Sequence, residues 1–229
     1  MTHRTDEGTR PDAHDQVDSI PTSPDLGRTL LRVAWLAIAL GIAMEALLLL
    51  LGTSFGELLG VKSIVADLAK NLSWSLFVCS GLAVGTAASQ ARAPAMGLMG
   101  LLAAPVAFEV SRVVHKGTLE ALEISGGGGG DTSPVLVAVI KGFEYGCLGL
   151  AVGWLGRRPW GGAAAHAAAG LAVGLIFGGA IMALTVSSGA QMSVADLVSR
   201  GVNEVLFPLG CSLVLYTSVN LGKRMTQRN

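Results

Sequence analysis

Six blocks of mostly apolar residues alternate with shorter polar connections along this chain. A helix needs about 20 such residues to cross the apolar core of a bilayer, and the blocks are close to that length. The pattern therefore predicts an all-α fold, a polytopic membrane helix bundle with about six transmembrane helices. The blocks lie at about 30–51, 71–88, 95–114, 134–156, 162–186 and 202–221.

The two ends of the chain have a different composition from the blocks. Residues 1–27 are polar and rich in Asp, Thr and Pro, which predicts a disordered tail because such a segment buries too little apolar surface to fold. Residues 28–224 form the predicted membrane domain, and residues 225–229 a short C-terminal tail.

Positive charges predict the orientation in the membrane, since Lys and Arg are enriched on the cytoplasmic side. The tight turns "QARAP" and "GRRPWG" carry Arg92, Arg157 and Arg158, and further basic residues flank both ends of the membrane domain. We therefore expect both termini, and the tail at 1–27, to be cytoplasmic. The expected location is the cell membrane, either the plasma membrane or an inner membrane.

Short motifs recur along the chain. "CSGLAVG" begins at Cys79 and "CLGLAVG" at Cys147, while "VADL" occurs at Val65 and again at Val194. Cys211 stands in the sixth block at a similar position. These echoes predict three tandem two-helix repeats of about 65 residues, at about 30–92, 93–158 and 159–224. The alternative is that Gly, Ala, Val and Leu dominate every block, so short matches arise by chance.

Glycines spaced four residues apart predict where helices pack closely, because small residues let two backbones approach inside a membrane. The predicted packing residues are Gly81, Gly85, Gly149, Gly153, Gly170 and Gly174.

The three cysteines suggest a second, weaker hypothesis. Cys79, Cys147 and Cys211 would lie at one depth, where three thiols could bind a soft metal such as Cu(I). Cysteine is also a common small buried residue, and neither a Met-rich loop nor a Cys-x-x-Cys pair accompanies these three. We therefore expect no metal and no cofactor.

Ionisable and amide residues inside the blocks are candidates for function, because charges within a membrane are costly unless they are paired or hydrated. They cluster in the outer half of the predicted helices. Glu109 and Arg112 are three residues apart, as are Lys141 and Glu144, so each pair shares a helix face. The predicted polar layer comprises Glu45, Lys70, Asn71, Glu109, Arg112, Lys141, Glu144, Asn203 and Glu204.

Two interpretations of this layer remain open. It is either an ion-pair network that holds the helices in register, or a polar vestibule or relay for an ion, a proton or a small polar solute. His166, near the cytoplasmic end of the fifth block, is expected to hydrogen-bond a neighbour, with a proton-relay role as the alternative. The segments "FGELLGVKSIVADLAK" and "SVADLVSRGV" are expected to lie along the outer membrane interface. A short amphipathic segment, "VVHKGTLEALEI", is expected before the loop that leads to the fourth block.

The function predicted from these features is a small transporter or channel with a Glu/Lys-lined outer vestibule. The alternative is a non-catalytic membrane subunit or scaffold of a larger complex. None of the common hydrolase or metalloprotease motifs occurs, so no catalytic residue is predicted. The expected partners are the lipid bilayer and a second copy of the chain or other membrane subunits. Nucleic acid is not expected, because the net charge is zero.

Overall fold

A computed structural model describes residues 24–56, 60–88, 91–124, 133–189 and 192–226. These residues form six long helices, and no β-strand occurs among them. The all-α fold is therefore confirmed. In chain order the helices are α1 (Pro24–Ser54), α2 (Val61–Val84), α3 (Arg92–Ala121), α4 (Pro134–Leu155), α5 (Ala163–Ser187) and α6 (Val194–Thr226).

Five of these helices are long and apolar enough to cross a membrane, namely all except α2. The first half of α2 contains Lys62, Asp67, Lys70 and Asn71, which lower its hydropathy. The structure thus has the several apolar helices of an integral membrane protein. A sixth span through α2 stays a prediction.

The helices form a ring in which each one packs against the next along the chain, and α6 closes the ring against α1. Neighbours run antiparallel: Lys62 at the start of α2 donates a hydrogen bond to the carbonyl of Leu122, just after α3, at 2.9 Å. We call the end of the bundle that holds the start of α1 and the end of α6 the terminal end. The opposite end, where α1, α3 and α5 finish, is the distal end.

Three aromatic side chains meet where α2, α4 and α6 approach one another inside the ring. Trp74 lies edge-on to Tyr145 and to Phe207, with ring centroids 5.5 and 6.4 Å apart. Below this aromatic cluster, toward the terminal end, Cys79 and Cys211 are fully buried. These residues close the centre of the bundle, so the ring contains a packed core rather than a continuous pore.

All six predicted packing glycines lie where one helix touches another. A Cβ atom added to Gly85 or Gly153 would stand 2.5 or 2.6 Å from the backbone of Met96 or Ala93 at the start of α3. Gly81 and Gly149 also face α3, whereas Gly170 and Gly174 face α6. These short approaches leave no room for a side chain.

The glycine contacts do not follow a threefold arrangement. The motif glycines of α2 and α4 both pack against α3, which lies between these two helices. A strict repetition would instead place the glycines of α4 against α5. Because α2 and α4 approach α3 from opposite sides, the cysteines that precede their glycines face different ways: Cys79 is buried and Cys147 is exposed. The three tandem repeats therefore stay a prediction from the sequence.

Several predicted boundaries are corrected by the longer helices. The two segments expected along the interface are instead the first turns of α2 and α6, and the predicted amphipathic segment "VVHKGTLEALEI" contains the last turns of α3. The tail predicted at 1–27 overlaps α1, which begins at Pro24, and 225–226 belong to α6. Residues 1–23 and 227–229 lie outside the described residues.

Candidate functional site

A cavity of about 1030 Å³ occupies the distal end of the bundle, and all six helices contribute to its lining. It is rich in charged side chains of both signs, in equal numbers, so the lining as a whole is close to neutral. The acids are Glu45, Asp67, Glu120, Asp196 and Glu204, and the bases are Lys70, Arg112, Lys116, Lys141 and Arg200.

The cavity brings together most of the polar layer predicted from the sequence. The members that line it are Glu45, Lys70, Asn71, Arg112, Lys141, Asn203 and Glu204. Glu109 and Glu144 do not line it. Glu109 lies on the exposed side of α3, where it accepts hydrogen bonds from Arg112 at 2.9 and 3.0 Å. Glu144 lies beneath the floor, where it is fully buried.

Lys141 is the central residue of the floor. Its Nζ atom lies 2.8 Å from Oε2 of Glu144, one turn along α4, and it donates a hydrogen bond to Glu204 on α6. Only 6% of Lys141 is exposed, and Glu144 is not exposed at all. One ammonium group therefore joins two carboxylates and ties α4 to α6.

The aromatic cluster forms the rest of this floor. Trp74 and Phe207 line the cavity. The Nζ atom of Lys141 stands 5.7 Å from the ring centroid of Trp74 and 5.9 Å from that of Tyr145. At this distance an ammonium group is attracted by the faces of aromatic rings. Lys141 is therefore held by carboxylates and ring faces together, and it is almost fully buried at the cavity boundary.

A second polar contact lies on the opposite wall. Asn71 of α2 donates a hydrogen bond from its amide nitrogen to Oε2 of Glu45 on α1, at 2.8 Å, and both residues are buried. This contact joins two members of the predicted layer that the sequence did not pair. It also keeps the Glu45 carboxylate at the cavity wall.

The rim of the cavity is more exposed than the floor. It contains Asp67, an ion-pair partner of Lys70 that was not part of the predicted polar layer. Lys70 pairs with Asp67, one turn earlier on α2, at 2.6 Å. His115 of α3 lies 3.3 Å from the carbonyl oxygen of Ala66 and 3.8 Å from Asp67. Such half-exposed pairs contribute little to stability, so the strong electrostatic interactions are those of the floor.

Four buried oxygen atoms near the floor have no hydrogen-bond partner among the described residues: Oε1 and Oε2 of Glu144, Oδ1 of Asn203 and the hydroxyl oxygen of Tyr145. The contact between Oε2 of Glu144 and Lys141 is close, but it is not aligned as a hydrogen bond. Buried acceptors without a donor are uncommon in folded proteins. These oxygen atoms can therefore accept a proton, or a hydrogen bond from a further donor.

A second, much smaller cavity of about 60 Å³ lies at the terminal end, with Arg92, His166, Tyr216 and Asn220 in its wall. His166 is buried, with Nδ1 3.0 Å from the carbonyl oxygen of Gly162 and its ring 4.9 Å from that of Tyr216. This space fits about two water molecules. The aromatic cluster and the apolar core below it separate the two cavities.

The cysteines do not form a three-thiol site. The Sγ atoms of Cys79 and Cys211 are 3.3 Å apart in the core, whereas Cys147 is exposed on α4. Within the described ranges, no group of three or more His, Cys, Asp or Glu side chains is arranged to hold a metal ion. The weak metal hypothesis is therefore not supported by the geometry.

Together, the fold and the site define a helical protein with several membrane-length apolar helices around a charged cavity at one end. The sequence matches no protein-family model, no curated protein and no solved structure. Any function must therefore be argued from the cavity itself.

Proposed function

We propose that this protein is a small transporter, in the cell membrane, for an ion, a proton or a small polar solute. The distal cavity is the vestibule that admits the solute, and both termini are cytoplasmic. The single observation that carries the proposal is the convergence of ten charged side chains from five of the six helices on one cavity of about 1030 Å³.

The energetic argument concerns water. Ionisable side chains within apolar helices are costly unless they face a hydrated cavity or one another. Here they do both, because the rim pairs are partly exposed and the floor residues lie at the cavity boundary. A purely structural ion-pair network would need no cavity of this size. The volume suits a small solute together with its water.

The closed centre favours a transporter over an open channel. Trp74, Tyr145 and Phe207 block the path from the distal cavity to the small cavity around His166. A solute can cross only if α2, α4 and α6 move apart at this cluster. The described conformation then corresponds to a state that is open at the distal end and closed at the terminal end.

The alternative, a scaffold subunit whose small-residue faces bind other helices, finds less support. The six motif glycines are already in contact with neighbouring helices of the same chain. The outward face of α3 instead carries a row of large apolar side chains, in which Leu98, Leu102 and Val106 are exposed. We propose that lipid covers this face.

Flux measurements in liposomes test this proposal. The purified protein would be reconstituted and assayed for protons, alkali cations, halides and small zwitterions. We expect flux of at least one of these above that of empty liposomes, and we expect Glu204→Gln to lose most of it. Lys141 keeps Glu144 as a partner in this variant, so the fold should survive.

Glu123→Gln is the matched control, because Glu123 is exposed and does not line the cavity. It should retain wild-type flux. Folded wild-type protein that moves none of these solutes would refute transport and leave the scaffold alternative in front.

A further inference from the structure

The Glu144–Lys141–Glu204 cluster carries one more negative charge than positive charge. Lys141 is the one cation in contact with either carboxylate among the described residues, and Glu144 is fully buried. An excess charge in such a place is unfavourable unless a further positive charge or donor reaches it. Oε1 of Glu144, which has no donor, is the atom where that need is greatest.

We propose that Glu144 is a proton-binding site, which is loaded from the distal cavity through Lys141. This deepens the transport proposal and rests on it for the use of the proton, which would couple solute movement to proton movement. Binding of the proton itself requires only the geometry of the floor.

Lys141 lies between the cavity and Glu144. Lys141 and Glu204 line the cavity and Glu144 does not, so water does not reach Glu144 directly. The Nζ atom of Lys141 is 2.8 Å from Oε2 of Glu144, which is within hydrogen-bond reach, and a proton can pass once an N–H bond of Lys141 turns toward that oxygen. Direct access of a hydrated metal ion would require Lys141 to move aside, whereas a proton needs no such displacement.

The transfer balances in two steps. The Lys141 ammonium gives one proton to the Glu144 carboxylate, which leaves a neutral amine beside a neutral carboxyl group. The amine then takes a proton from a hydronium ion in the cavity, which leaves a water molecule there, and the ammonium group again pairs with Glu204. The net change is one proton taken up, and the cluster passes from an excess negative charge to neutrality.

Several other titratable groups lie around Glu144. On its own helix these are Lys141 and Tyr145, and on α6 they are Glu204 and Cys211. Cys79 of α2 lies behind Cys211. From the remaining packed helices, Glu109 of α3 has its own exposed partner in Arg112, and His166 of α5 is at the terminal end. The other buried carboxylate, Glu45, accepts a hydrogen bond from Asn71, so Glu144 is the buried carboxylate with the clearest need for a proton.

Infrared difference spectroscopy of the full-length protein in lipid tests the assignment. The spectrum in mildly alkaline buffer would be subtracted from that in mildly acidic buffer. We expect a C=O stretching band of a buried carboxylic acid to appear on acidification. The band should be absent in Glu144→Gln, shifted in frequency in Glu144→Asp, and unchanged in the exposed control Glu123→Gln. A band that persists in Glu144→Gln would overturn the proposal.

Two further measurements distinguish a failure of the proton-site proposal from a failure of the transport proposal. Addition of sodium or potassium at constant pH should leave the band in place; loss of the band would mean that an alkali cation, not a proton, occupies the site, and would also overturn the assignment. Flux is read independently. A Glu144 band without any flux would refute transport but keep the proton site, whereas flux without the band would refute the proton site alone. If Glu144→Gln does not fold, the shift in Glu144→Asp decides the assignment.

Discussion

The Sγ atoms of Cys79 and Cys211 lie 3.3 Å apart, although 132 residues separate them along the chain. They bring α2 and α6 into contact at the centre of the ring, just below the aromatic cluster. In the ring α1 lies between α2 and α6, so these two helices can meet only at the centre. The contact between the two cysteines therefore reports directly on the ring arrangement. It can be tested chemically without the transported solute.

Oxidation with copper phenanthroline should join Cys79 to Cys211. The two thiols lose two electrons and two protons to the oxidant and form one disulfide, which needs only a small approach of the sulfur atoms. Peptide mapping by mass spectrometry should find the cross-linked peptide. Cys79→Ser is the control that abolishes it, and Cys147, which is exposed on α4, should remain outside the link. A cross-link of Cys147 to either partner would contradict the arrangement.

A second prediction concerns the close contact between α3 and α4. Gly149→Ala should lower the free energy of unfolding by about 1–3 kcal/mol, because the new methyl group would overlap the backbone of Met96. Gly179→Ala is the matched control. Gly179 is also helical but has open space around it, so alanine there should be neutral or slightly stabilising. Thermal unfolding in detergent measures both, and equal stabilities would argue against the described α3–α4 contact.

The third prediction concerns the shared ammonium group of the floor. Lys141→Met should destabilise the fold by about 3–5 kcal/mol, since it leaves two carboxylates without their cation. Glu144→Gln should cost less, because Lys141 keeps Glu204. The triple variant Lys141→Met, Glu144→Gln, Glu204→Gln should recover much of the loss. Chemical denaturation in detergent ranks the variants, and a larger loss in Glu144→Gln than in Lys141→Met would contradict the shared pairing.

The two ion pairs of Lys141 differ in how far the sequence could predict them. The spacing of Lys141 and Glu144 by three residues places them on one helix face, and the structure brings them together. The pairing of Lys141 with Glu204, 63 residues away, depends on how α4 and α6 rotate and approach each other. Hydropathy predicts depth along a helix, and most residues of the predicted layer line one cavity, but hydropathy carries no information on rotation about a helix axis.

The burial of the cysteines could not be predicted from the sequence either. Cys79 and Cys147 precede near-identical glycine motifs, so the sequence placed them in equivalent positions. Their burial differs because α2 and α4 pack on opposite sides of the same helix, α3. The glycine spacing thus predicts the close-packed face of each helix. Which residues beside that face are buried depends on the order of the helices in the ring.

The last prediction concerns Pro208, a proline inside α6. Pro208 has no backbone N–H, so the carbonyl of Glu204, four residues earlier, lacks its usual helical hydrogen bond. The facing segment of α5, Gly174–Gly178, is a π-helix, and Gly178 lies against Glu204. Two irregular segments thus meet beside the carboxylate that binds Lys141. We expect this contact to be the place where α5 and α6 bend when the centre opens.

Pro208→Ala should therefore increase the hydrogen-exchange protection of amides near 204–208 and reduce flux, because the restored helix resists bending. Pro105→Ala is the matched control: Pro105 is also an interior helix proline, on α3, and does not line the distal cavity. It should raise protection locally in α3 and leave flux unchanged. If Pro208→Ala raises protection yet transports like the wild type, the bend is a fixed feature of α6, and opening must occur by separation of straight helices around Trp74.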